Sequence, residues 1–360
     1  RSYDVFFTLE YGANAAISYR CSVLAMARCM YQSTARDYWG LHGRFGRITG
    51  SMHAFDAGLA VNPGNLMKYI SNTLLAGCYL VFSQTVSAAI TLVDNTGSEI
   101  VLAKPAQRIV SLAPHITELV FDIGAGDKLV GVVSHSDFPP AALDLPQVGS
   151  YKKVSYEIIA AMKPDLILAF GSGNGWEMIN HLRALGFTVY VDEPKTITDI
   201  ATTVKNFGVL TGTEAGATSK AQQFLKDAKA LTENYKDMNK VDVFYQVWDD
   251  PLFTINDTHL ISDVIRLCGG RNIFSDAIPL VPKISVEMVV RRNPEVIIAS
   301  GMGEERPEWL DDWRQWKSVN AVKNDQLYFI HPDLLQRHTL RILSGAEKMC
   351  AFVDQARAVN

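Results

Sequence analysis

The chain lacks the marks of several large functional classes. It has no run of Lys and Arg, and its formal net charge is −4. A nucleic-acid binder needs such runs to neutralise phosphates, so that class is set aside. No GxxxxGK[ST] loop and no HExxH helix occurs, which removes the commonest signatures of nucleotide hydrolysis and zinc proteolysis. Leu74 to Phe82 is the one apolar stretch near membrane character, and it is too short to span a bilayer. Cysteine is scarce: Cys21, Cys29, Cys78, Cys268 and Cys350 form no cluster. No nucleophile–base pair stands out, so the sequence offers no catalytic centre.

What is present is a globular composition, 48% hydrophobic and 20% charged, over 360 residues. That length holds two domains of ordinary size. One stretch occurs twice. Ser155–Gly171 reads SYEIIAAMKPDLILAFG and Ser285–Gly301 reads SVEMVVRRNPEVIIASG, 17 positions without a gap, 130 residues apart, six of them identical. Each copy predicts a short amphipathic helix, a Pro-acid turn, a buried strand and a terminal glycine. A duplicated unit implies two similar lobes with a cleft between them. Glu157 and Glu287 occupy the same helix position in the two copies.

The front of the chain reads differently. Met67–Ala88 has a basic residue, Lys68, then an apolar core and a small-residue end. That is the layout of a secretory signal peptide over 67–88, with cleavage after Ala88; the alternative is a buried core helix. Leu75-Ala-Gly-Cys78 also fits a lipobox, which would anchor the chain through Cys78. Residues 1–66 show little strand or helix periodicity and are expected to be a non-native or disordered upstream segment. Removing everything before Ala89 leaves two cysteines, and in an exported chain these predict a Cys268–Cys350 disulfide.

From Ile90 the pattern is a hairpin, then alternating strands and helices whose strands are solid apolar runs. That predicts an α/β fold of parallel sheets covered on both faces. An N-terminal lobe is expected over 89–212 and a C-terminal lobe over 240–360. Between them, 213–239 is rich in Ala, Lys, Gln and Leu and has no Pro. It predicts one long connecting helix, a stiff spine that limits hinge motion.

Four segments carry a family resemblance: RIVSLAPHITELVFDIGAGDKLVGVVSHSDFPP, QVGSYKKVSYEIIAAMKPDLILAF, LCGGRNIF and PDLLQRHTLRI. In this order, flanking the duplicated unit, they resemble the substrate-binding proteins of ABC importers for metal chelates, over about residues 90–357. The resemblance implies the class III periplasmic-binding-protein fold, a monomer without cofactor or enzymatic activity, and a periplasmic location. Among the chelates it points to cobalamin, with haem or a ferric siderophore as the alternative. An enzyme on a similar two-lobed frame is the more distant one.

By correspondence, His135, Tyr151, Phe170 and the segment Asp333, Leu334, Leu335, Gln336 and Arg337 line the ligand cleft, with Trp248 as a further member. Aromatic faces suit a wide flat ring, and a few polar groups fix its orientation. His135 stands where the cobalamin binders carry an aromatic, and a neutral imidazole there is a candidate axial metal ligand. Val281 stands where they tend to carry Trp, which removes a stacking surface. Glu157 and Glu287 match the two family glutamates that dock on arginines of the permease dimer, whose ATPase drives import.

Overall fold

The structure is a computed structural model that describes residues 4–11, 15–22, 89–301 and 305–359. The signal-peptide stretch 67–88 and Cys78 lie outside the described residues. The chain divides into two units, residues 1–84 and 85–360. In the first, β1 (Asp4–Tyr11) and β2 (Ala15–Ser22) pair antiparallel, where the sequence had shown little strand periodicity. The reason is that the β1 sequence DVFFTLEY alternates only in part, with Phe6 breaking the period of two.

The second unit opens with the expected hairpin, β3 (Ile90–Val93) and β4 (Glu99–Leu102). The N-terminal lobe then runs β5 (Ile109–Ser111), α1 (Pro114–Asp122), β6 (Leu129–Val132), the small pair β7 (Gly149–Ser150) and β8 (Lys153–Val154), α2 (Tyr156–Met162), β9 (Leu166–Phe170), α3 (Gly171–Asn174), α4 (Trp176–Ala184) and β10 (Val189–Asp192). Two helices follow, α5 (Ile197–Thr211) and the spine α6 (Glu214–Tyr235). The C-terminal lobe runs β11 (Val241–Gln246), α7 (Leu260–Leu267), β12 (Gly270–Asn272), α8 (Val286–Arg292), β13 (Val296–Ala299), α9 (Asn320–Lys323), β14 (Leu327–Phe329), α10 (Pro332–Leu335) and α11 (Ile342–Val359). The strand β12 escapes a sequence reading because Gly-Arg-Asn is too short and too polar to show a period.

The sheets are separate and wholly parallel. Their orders are β10-β9-β5-β6 and β12-β11-β13-β14. Counted within each lobe, both read fourth, third, first, second, so the duplication extends to topology. In each sheet the order in which strands are added reverses between the first and third strands. In open parallel sheets that switch point opens a crevice at the carboxyl ends of the strands.

The turn shared by the two repeats has a structural explanation. Lys163 and Asn293 end α2 and α8 in the left-handed conformation, at φ 48° and 49°, each just before Pro. The acid after that Pro then secures the first strand of its own lobe. Asp165 accepts from the amides of Gln107 and Arg108 at 2.8 and 2.9 Å. Glu295 accepts from the Asp242 amide at 2.7 Å. A carboxylate on otherwise orphaned strand-start amides makes a strong, charge-assisted bond.

The two faces of each sheet enter different cores. Val110, Ile167 and Val191 face a cluster confined to the N-terminal lobe, and Phe244, Ile297 and Trp313 one confined to the C-terminal lobe. The opposite faces, carrying Ile109, Leu168 and Tyr190 in one lobe and Val243, Tyr245 and Ile298 in the other, join one cluster that also takes in α5, α6 and α11. The spine has 22 residues, about 33 Å at the usual helical rise. It approaches α5 so closely that a Cβ on Gly208 would come within 2.4 Å of Ala217 Cβ. The Cys268–Cys350 disulfide forms, joining the end of α7 to α11.

Candidate functional site

Apart from Tyr151, which lies in the turn of a small antiparallel pair, the sequence-predicted ligand residues sit at or beyond the carboxyl ends of parallel strands. Phe170 ends β9 and Trp248 stands two residues beyond β11, both at switch-point strands. His135 follows β6, Tyr151 lies between β7 and β8, and Asp333–Arg337 sits on or just after α10, beyond β14.

His135 is exposed and adopts φ 64°. Its ring is open to solvent, and among the described residues no group of three or more His, Cys, Asp or Glu is arranged to hold a metal ion. Tyr151 is half-buried against the N-terminal lobe's own core. Its carbonyl accepts from Asn174 Nδ2 at 2.8 Å, and the same amide group holds the Leu112 carbonyl at 2.8 Å. Asn174 thus locks the Tyr151 loop to the end of the central strand. A groove of about 570 Å³ lined by Lys152, Tyr156, Trp176 and His181 adjoins that loop. Trp248 is half-buried, and its indole N–H donates to the Asp250 carbonyl at 3.0 Å. Gln336 Nε2 donates to the Gly301 carbonyl at 2.9 Å, which ties α10 to the end of β13.

One expected member must be withdrawn. Leu335 is 0% exposed and belongs to the shared core, so it cannot touch a ligand. It faces inward because α10 packs against α11: a Cβ on Gly345 would meet Leu335 Cδ2 at 2.7 Å. Leu334 also packs against that core, though only partly buried.

The structure adds residues that the sequence reading missed, and they form the contacts between the lobes. Glu118 of α1 is buried, and Arg341 of the C-terminal lobe grips it with Nε at 2.6 Å and Nη2 at 2.5 Å. The Arg341 guanidinium also lies 3.9 Å from the centre of the Phe138 ring. Four residues earlier, Arg337 Nη1 bonds Asp137 Oδ1 of the N-terminal lobe at 2.6 Å, while its Nε pairs with Asp333 Oδ1 at 2.9 Å. The signal for Glu118 was legible: an acid set inside the apolar stretch ITELVF needs a partner when buried. Its partner is 223 positions away, beyond what spacing reveals.

Beside these pairs lies a group of rings. His115 of α1 contacts Phe170 at 4.8 Å and His338 of the C-terminal lobe at 5.3 Å between centres; His338 also meets Phe170 at 5.3 Å and His259 at 6.3 Å. Phe170 therefore divides its surface between the strand end and two histidines. Burial drives the pKa of His338 well below the usual range, with the neighbouring His115 and His259 adding to the effect. Burial lowers His259 to about 4. His259 Nδ1 accepts from the Ile261 amide and so caps α7. Asp192, at the end of β10, places its Oδ2 3.7 Å from His115 Nε2; neither atom has a hydrogen-bond partner.

The docking candidates are displayed as the repeat predicts. Glu157 and Glu287 are exposed in the first turns of α2 and α8. Ser155 Oγ donates to Glu157 Oε2 at 3.0 Å. Their own backbone amides and the serine hydroxyls hold both carboxyls below the ordinary range: the backbone contributes most for Glu157, and Ser285 contributes most for Glu287. Both are ionised at neutral pH.

Comparison with known proteins agrees with this architecture. Residues 109–334 match the family described as Periplasmic binding protein. A vitamin B12-binding protein of Vibrio cholerae is 36% identical over 270 residues, which is 75% of this chain and 97% of the relative. The crystal structure of the periplasmic vitamin B12 binding protein of that organism superposes with a TM-score of 0.65 at 36% identity, covering 70% of this chain and 98% of the other. A periplasmic haem-binding protein of Roseiflexus shares the fold, with a TM-score of 0.62 at 22% identity over 70% of this chain and 98% of the other. With two parallel lobes, a helical spine and a matched repeat, the chain belongs to the periplasmic binding protein family.

Proposed function

We propose that this protein captures cobalamin between its two lobes and delivers it to an ABC permease dimer and its ATPase. The observation that carries the reading is the 36% identity to a vitamin B12-binding relative over 97% of that relative's length. The placement of Tyr151, Phe170, Trp248, Asp333, Leu334, Gln336 and Arg337 around strand ends supports it. A corrin is broad and mostly apolar with amide arms. Half-buried aromatics give it contact area, while Asp333 and Arg337 offer an acceptor and donors. Export through residues 67–88 would place the protein in the periplasm as a monomer, or on a membrane surface if Cys78 carries a lipid. Glu157 and Glu287 would present one carboxylate per lobe to a two-fold permease. No chemistry on the ligand is proposed, so recovered cobalamin should be unmodified.

Titration calorimetry of the purified protein with cyanocobalamin tests the ligand. Submicromolar binding is expected, and no measurable heat or retention would end the reading. Replacing both Glu157 and Glu287 by Ala should leave that binding intact and abolish uptake into cells. A second reading, haem or a ferric siderophore, rests on exposed His135. A Soret shift with haemin that is lost in His135→Ala, with no cobalamin binding, would establish it instead.

A further inference from the structure

Arg337 is held from two sides. Asp333, four residues before it on the same lobe, takes Nε at 2.9 Å; Asp137, on the opposite lobe, takes Nη1 at 2.6 Å. The two carboxylates differ in character. Asp333 is a local partner that fixes the direction of the guanidinium. Asp137 comes from the loop after β6, next to exposed Phe138, and its side chain is 46% exposed while that of Arg337 is 13% exposed. Such a pair binds modestly, because solvent screens it, and it can be exchanged. The neighbouring pair, Arg341 with Glu118, is the opposite case: its carboxylate is 1% exposed and gripped by two nitrogens. One pair is a fixed clamp between the lobes, and the other sits at the strand-end rim.

We propose that Asp137 is an internal stand-in anion, which occupies Arg337 and yields it to an anionic oxygen of the incoming ligand. This rests on the ligand reading above. Cobalamin carries one phosphodiester on its nucleotide arm, a group that an Arg fork recognises well. On exchange, Arg337 keeps Asp333 and gains the phosphate, and Asp137 swings into solvent. Asp137 then acts as a specificity filter. A chelate without an anion cannot replace it, and an anion too weak to compete is turned away.

The test compares full-length wild type with D137N, using cyanocobalamin, which has the phosphodiester, and dicyanocobinamide, which lacks it. D137N should tighten cyanocobalamin roughly three- to ten-fold, the scale of a half-exposed ion pair, and change cobinamide less than about two-fold. In an R337Q background, D137N should have no further effect on either ligand. Equal effects on both ligands, or weaker cyanocobalamin binding in D137N, would overturn the exchange and make Asp137 an ordinary contact. If wild type binds neither corrinoid, the cobalamin reading fails separately. The same variants titrated with haemin, whose propionates are also anions, then decide the exchange: tightening by D137N upholds it, and no change overturns it. Binding of none of the three chelates overturns both. Asp137 is exposed, so thermal melts should show D137N folded.

Discussion

The carboxylate of Glu118 and the guanidinium of Arg341 meet two-on-two across the lobes, with Glu118 at the bottom of the contact and Phe138 stacked on the guanidinium. Removing the cation alone would leave a buried charge with no counterpart. Arg341→Met should therefore cost about 3–5 kcal/mol in urea unfolding, whereas Arg341→Met combined with Glu118→Leu should recover most of the loss. A loss below about 1 kcal/mol for the single variant would show that the pair is solvated.

Acid should weaken the fold through the histidines between the lobes. His259 falls from an ordinary 6.5 to about 4, and His338 moves the same way. The unfolded chain takes up these protons first. Their contribution is complete above pH 6.5 and is lost as pH falls toward 4. Asp122 works in the opposite sense. Burial and then the Glu118 charge raise it from 3.8 to about 6, so stability is lost as pH rises from about 4 to 6 and the full penalty holds above that. His259→Asn keeps an acceptor for the Ile261 amide while removing the proton site. Its stability should fall less steeply than wild type between pH 6.5 and 4.5, as read by urea midpoints. Parallel curves would eliminate His259 as a source of acid sensitivity.

Reading the sequence located the repeat, the spine and the disulfide, because each is a local pattern or a count; the cleft residues came only from the family resemblance. It ended the spine at 239, where the helix stops at Tyr235, since polar residues at a helix end carry no period. It placed Leu335 toward a ligand because a four-residue helix has too little length to reveal which side faces inward. It missed Asp137, Glu118 and the His115–His338 contact for a common reason. Each joins residues about 200 positions apart, and pairing at that distance is decided by how the lobes dock.

The Pro-acid turns give a paired experiment. Asp165→Ala and Glu295→Ala each strip a carboxylate from strand-start amides, two in the first lobe and one in the second. Each should cost about 1–2 kcal/mol, with Asp165→Ala the larger. Thermal melts of the two variants would check the order. Equal and negligible shifts would show that water replaces the carboxylates without loss.

Reducing the Cys268–Cys350 bond, or replacing both residues by Ser, opens a loop of 82 residues. Chain entropy puts the loss near 4 kcal/mol. Both sulfurs lie in the shared core, so mild reductant should act only under partial denaturation. Urea curves with and without reductant measure it, and coincident curves would contradict the assignment.

The apolar cluster that runs from Ile100 through the spine to Ala356 has a mechanical consequence. Besides its own cluster, each lobe shares this larger one with the other, so the two lobes should melt together in a single step, and a fragment holding one lobe alone should aggregate. A container built this way does not spring open by itself. Any partner that parts the lobes would have to supply the work of breaking that shared cluster.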